Sequence, residues 1–262
     1  LIANAPHLPV HLGAMADAVR SQIRLKGAHW PVGEVVMSNH PCAGGSHLPD
    51  ITVISPFFPP GATQPLFFVA SRGHHADVGG ITPGSMPPFS HTLEEEGAAI
   101  ASLTLVSEGQ FNLEGVREVL GKSRNLHDNI ADLQAQVAAN KKGVALLTDL
   151  LQEYGQDVVI AYMKHVMDNA TSAVTHLLRD LVQSHSATGS PEDTVVVSAA
   201  DYMDDGTPIC LKLTVNGSTG SATFDFEGTG PEVYGNTNTP PAVVSSAVLY
   251  TLRSLVQREI PL

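Results

Sequence analysis

From residue 121 to residue 183 the chain follows a helical apolar period, and no other feature limits its fold as much. Ile130, Leu133, Val137, Val144, Leu147, Leu151 and Tyr154 fall at helical spacing on one face. Gly155 interrupts the pattern, and Val158, Tyr162, Val166, Ala170, Val174, Leu177 and Leu181 define a second face. The spacing predicts two long helices joined at a glycine, a helical hairpin. The flanks have a different character. Residues 1–120 are rich in Gly, Pro and His and carry the short apolar runs GEVVMS, ITVIS, LFFVAS and ASLTLV. These are expected to be strands broken by loops, preceded by one helix over LGAMADAVRSQIRLKG. Beyond the polar linker SHSATGSPEDT (184–194), the runs TVVVS, ICLKLTV and SATFDFEG predict strands, with NGSTG as the turn between the last two. VVSSAVLYTLRSLV closes the chain as a helix. The expected class is therefore mixed α/β (α+β), with regions 1–120, 121–183 and 184–262 belonging to one domain.

Composition removes several functions. A formal net charge of -12 argues against nucleic-acid binding, which needs clustered Lys and Arg to neutralise phosphates. No apolar run reaches the roughly 18 residues that crossing a bilayer requires. Two cysteines, Cys42 and Cys210, make no disulfide framework and predict a reducing, cytoplasmic setting. The chain opens on LIANAPHLPVHLG and stops at REIPL, and neither end looks like a polar interdomain linker. That pattern predicts an internal part of a longer protein.

Chemistry concentrates between residues 38 and 91. Two glycine-bracketed loops, GGSHLPD and SRGHHADVGG, each place histidine close to aspartate, and each adjoins a strand-like run. Pairing of those strands would bring together His47, Asp50, His74 and Asp77, a ligand set suited to a divalent metal with open positions. His74 and His75 should point to opposite sides of an extended segment, so only one of them joins the ion. The mixed imidazole and carboxylate shell favours manganese, iron or zinc. The alternative for all four residues is that they satisfy loop backbone groups. Glu94, Glu95 and Glu96 form an acidic run that suits the first turn of a helix. Arg72 and Arg124 could clamp a substrate carboxylate through a bidentate contact, or make structural ion pairs. Asp128, Asp132, Gln136 and Asn140 form a polar stripe at i, i+4 steps, which is most simply a solvated face. Gly115-VREVL-Gly121-Lys122-Ser123 has one residue too many between its glycines for a phosphate-binding loop.

The segments HLPDITVISP, SRGHHADVGGITPGSMPP, LEEEGA, SRNLHDNIADLQAQVAANKKG, DYMDDGTPI and FDFEGTGPEVYGNTNTPPAV resemble the hydantoinase B/oxoprolinase family across essentially the whole chain. The resemblance favours His74 over His75 as the ligand and gives Glu94 or Glu95 a role as general base. It also makes a buried, site-facing role the competing reading for the stripe of Asp128, Asp132, Gln136 and Asn140, with Asp132 as its catalytic candidate. It implies an incomplete hydantoinase B-type domain that works with a hydantoinase A-type half, within a homo-oligomer. The implied reaction is ring opening of 5-oxo-L-proline to L-glutamate, coupled to ATP hydrolysis in glutathione turnover. Phosphorylation would belong to the A-type half, with its magnesium-bound ATP, and hydrolysis to the metal site here. N-methylhydantoin hydrolysis, ketone carboxylation and a non-catalytic role in assembly with the A-type half are the alternatives the resemblance leaves open.

Overall fold

The computed structural model describes residues 2–3, 8–27, 30–186, 190 and 193–256. Its first unit is organised around β2 (Asp50–Phe57), a strand buried at every position. β2 pairs antiparallel with β1 (Val35–Ser38) on one side and β3 (Phe67–His74) on the other. With β4 (Leu103–Ser107) and β5 (Gln110–Phe111) they form a sheet of order β3-β2-β1-β4-β5. Both faces of the sheet are covered, which explains why ITVIS is a continuous apolar run rather than an alternating one. Ile51 and Val53 pack with Val116, Leu120, Leu133 and Val137 from α3 (Leu113–Leu120) and α4 (Leu126–Tyr154). On the opposite face Ile54 and Val36 pack with Ala18 of α1 (Ala14–Lys26) and with Trp30. A single-turn helix, α2 (Leu93–Glu96), sits between β3 and β4.

α4 lies close against β2 and β3 because two glycines permit it. A Cβ on Gly143 would stand 2.7 Å from Val69 Cγ1, and one on Gly73 would stand 3.3 Å from the Gln136 amide. The polar stripe of α4 then reaches the sheet backbone. Gln136 Nε2 donates to Ile51 O at 3.0 Å and Ser71 O at 3.3 Å. Asn140 Nδ2 donates to Val53 O at 3.0 Å and Val69 O at 3.3 Å. One helical turn of four residues rises about 6 Å, and two strand residues rise about 6.6 Å, so the two periods stay in step. The stripe thus divides between its two readings: it is buried at Asn140 and half-buried at Gln136, while Asp128 and Asp132 are exposed.

The second unit contains α5 (Gln156–His185) and a three-stranded antiparallel meander, β6 (Thr194–Tyr202), β7 (Pro208–Asn216) and β8 (Ser221–Asp225). Leu178 and Val182 of α5 pack on Val215, with Val195, Leu213 and Ala222 around them. The β7–β8 turn falls on NGSTG as expected, closed by Asn216 Oδ1 accepting from Thr219 N at 3.0 Å. α6 (Pro241–Leu255) follows, its residues up to Leu249 belonging to the first unit and those from Tyr250 to the second. The division into units falls at Gln156 and Asp157, where α4 passes into α5. Gly155, at φ +80°, ends the first of these helices. Of the expected linker, residues 187–189 and 191–192 lie outside the described residues. The sequence did not signal α3, whose start is capped by Asn112 accepting from Gly115 N at 2.9 Å.

Candidate metal centre

Asp50 is the first residue of β2 and His74 the last of β3, and the two are direct partners in the ladder. The expected loop SRGHHADVGG therefore begins at His75 rather than Ser71, because pairing with β2 continues through His74. His74 Nδ1 lies 3.1 Å from Asp50 Oδ1. His47 arrives from the turn before β2, where Asp50 N donates to His47 O at 3.0 Å. Its Nδ1 lies 2.5 Å from Asp50 Oδ2. The two imidazole rings stand 4.9 Å apart, tilted by 35°. One ligand atom from each of His47, Asp50 and His74 lies within 4.8 Å of the others. Asp50 is only 2% exposed, whereas His74 is 50% exposed. The cluster is therefore anchored on one side and open on the other. Two imidazoles and one carboxylate with free positions suit a transition-type divalent ion.

The carboxylate at the centre is held ionised. Burial alone would raise the pKa of Asp50, but hydrogen bonds from His47 and Ser46 and the nearby imidazoles bring it down to about 2. Ser46 Oγ donates to Asp50 Oδ2 at 2.5 Å. An anionic, immobilised carboxylate is the form a cation requires.

Asp77 is not brought to this cluster. Its carboxylate accepts from Gly79 N and Arg124 N, each at 2.8 Å, and from Arg124 NH1 at 3.1 Å. Although burial opposes ionisation, these donors hold the Asp77 carboxyl below its usual range. Arg124 NH2 also donates to Gly80 O at 2.9 Å, so this arginine ties the second loop to the start of α4. Arg72 is similarly engaged: Nε donates to Thr52 Oγ1 at 2.7 Å and NH2 to Gly44 O at 2.8 Å. Both guanidiniums expected at a substrate carboxylate are occupied with loop architecture. Glu95 completes a capping box with Thr92, the helix-start role its spacing suggested. Glu94 is exposed on the same turn, and burial raises the pKa of Glu96. Asp132 is exposed one turn before Gln136.

His75 faces away from His74, as alternation requires, and is 1% exposed. Burial lowers its pKa. The residue that sequence reasoning missed is His11. Its Nε2 lies 3.7 Å from Asp50 Oδ2, and its Nδ1 lies 3.4 Å from Arg72 NH1. Burial lowers its pKa too. No spacing signal could have found it, since it stands in a Pro-His stretch far from both loops.

A family model described as hydantoinase B/oxoprolinase matches residues 1–262. The 5-oxoprolinase of Dictyostelium discoideum is 55% identical over 262 residues, covering 100% of this chain and 20% of that protein. The 5-oxoprolinase 1 of Arabidopsis thaliana is 51% identical over 277 residues, covering 100% of this chain and 22% of that protein. The chain thus spans about a fifth of the length of these relatives. Among solved structures, the ATP-dependent caprolactamase from Pseudomonas jessenii superposes with a TM-score of 0.87 at 25% identity, covering 100% of this chain and 43% of that one. With its fold, its paired histidine loops and a family match over its whole length, this chain belongs to the hydantoinase B/oxoprolinase family.

Proposed function

We propose that this chain carries the hydrolytic metal site of an ATP-dependent cyclic amide hydrolase of the 5-oxoprolinase kind. The reaction is opening of the 5-oxo-L-proline ring to L-glutamate, with ATP cleaved to ADP and phosphate. The observation that carries this reading is the convergence of His47, Asp50 and His74 around a buried, ionised carboxylate. The names of the similar 5-oxoprolinases and of the caprolactamase support the substrate class, a cyclic amide. A five-membered lactam is a stable amide, so its carbonyl needs activation by phosphoryl transfer before water attacks. That transfer belongs to a hydantoinase A-type half, with magnesium accompanying its ATP.

A manganese, iron or zinc ion at the cluster, when bound, supplies Lewis acidity toward an oxygen of the reactants. The protein's own contribution is positional. Ser46 fixes Asp50 through the bond it donates to Oδ2. Arg72 can only donate hydrogen bonds, so His11 accepts through Nδ1 and keeps its proton on Nε2, directed at the cluster. His11 then acts as a neutral donor to an oxygen that gains charge during attack. The test uses the complete natural protein. Glutamate formation and phosphate release are measured with 5-oxoproline and with caprolactam, alongside elemental analysis. Coupled turnover of 5-oxoproline with stoichiometric metal supports the reading. Full activity in a protein stripped of metal, or in the His47→Ala, His74→Ala double variant, would overturn it.

A further inference from the structure

His75 is a buried imidazole next to a ligand, yet it has no place in the chemistry above. Its bonds run instead to α4. Asn129 Nδ2 donates to His75 Nδ1 at 3.0 Å and to Asp77 O at 3.0 Å. The Asn129 amide cannot be reversed, because Asp77 O can only accept and so must face Nδ2; Oδ1 then accepts from Ser123 Oγ at 2.6 Å. With Nδ1 accepting, the ring proton sits on Nε2 and is donated to Gln136 Oε1 at 3.3 Å. That in turn leaves Gln136 Nε2 as the donor to Ile51 O and Ser71 O. Every donor and acceptor in this chain is assigned without conflict, and each is internal to the first unit.

Gln136 therefore touches the residue after Asp50 and the residue after His74. We propose that Gln136 is a positioning residue of the metal site, clamping Ile51 and His75 so that Asp50 and His74 keep the spacing an ion needs. This rests on the metal reading above. Asn140 provides an internal comparison: it grips the same two strands one turn away, at Val53 and Val69, with no ligand beside either. A purely structural role would make the two residues equivalent.

The experiment titrates the metal-stripped, full-length natural protein with Co(II), reading the dissociation constant, the visible absorption bands and the melting temperature. Gln136→Met should weaken Co(II) binding by about 10–100-fold, as loss of a ligand-orienting partner does, and should shift the bands. Asn140→Leu should lower the melting temperature comparably while leaving affinity within about twofold, the scatter expected of a site not touched. Equal affinities in the two variants overturn the inference. If Gln136→Met does not fold, His75→Phe keeps the ring and loses both bonds, and unchanged bands in it overturn the inference equally. A wild-type protein that binds no stoichiometric Co(II) removes the metal reading itself. Binding by the wild type with unaltered variants removes only the clamp.

Discussion

Gly44 O accepts a hydrogen bond from Arg72 NH2 at 2.8 Å, linking the turn ahead of the first histidine loop to the strand that ends at His74. The turn depends on glycine there. Gly44 has φ +82°, and a Cβ on it would stand 2.2 Å from Ala18 N, a helix backbone atom that cannot give way. A left-handed alanine costs about 1–2 kcal/mol and overpacking adds about 1–3 kcal/mol. Gly44→Ala should therefore destabilise the protein by about 2–5 kcal/mol in urea unfolding. It should also weaken metal binding, because Arg72 follows the displaced carbonyl. A stability loss under about 1 kcal/mol, within the range of ordinary surface changes, would contradict this account of the turn.

Metal uptake should compete with protons. In the structure His47 Nδ1 and His74 Nδ1 both face Asp50 oxygens. A neutral ring that donates there must move its proton to Nε2 before Nδ1 can become a ligand, and a protonated ring must lose one. The zinc affinity of the full-length protein should therefore fall as pH falls. His74→Ala should abolish stoichiometric zinc binding and cost under about 1 kcal/mol of stability, since the ring is half exposed. Zinc binding unchanged in His74→Ala would place the ion elsewhere.

Acid stability follows from Asp50. Its pKa is lowered from 3.8 to about 2, so the unfolded chain takes up this proton first as pH falls. A group shifted this way contributes stability that is fully present above 3.8 and is lost as pH drops through about 2. Metal-free Asp50→Asn should show a flatter decline of unfolding free energy between pH 4 and pH 2 than the wild type. Parallel acid limbs for the two proteins would mean that the carboxylate is not held ionised.

The strands, the long helices and the histidine loops were legible because each depends on local signals: apolar period, glycine breaks and residue type. Three features were not. Asp77 shares the loop chemistry of Asp50, but Arg124, which lies at the far end of an intervening helix–strand segment, occupies its carboxylate. The spacing of the stripe on α4 fits a solvated face and a buried one equally, and the glycines at 73 and 143 that let its second half approach the sheet act from outside the pattern. His11 reaches Asp50 across an intervening helix and strand that spacing cannot measure. In each case the deciding contact is long in sequence, and one chain read alone carries no trace of it.

Arg124 provides the last discrimination. If its guanidinium binds substrate, replacing it should raise KM with little effect on folding. The structure assigns its donors to Asp77 and to the carbonyls of Gly80 and Ile81. Arg124→Gln leaves the two backbone bonds to Asp77 in place, and the lost guanidinium is 48% exposed. A hydrogen bond to a charged group contributes about 1.5–3 kcal/mol when buried, and exposure reduces it toward the surface value of about 1 kcal/mol or less. The expected cost is about 1–2 kcal/mol in urea unfolding, with KM for 5-oxoproline changed less than about threefold, since uniform binding energy is untouched. A tenfold rise in KM at unchanged stability would return Arg124 to the substrate.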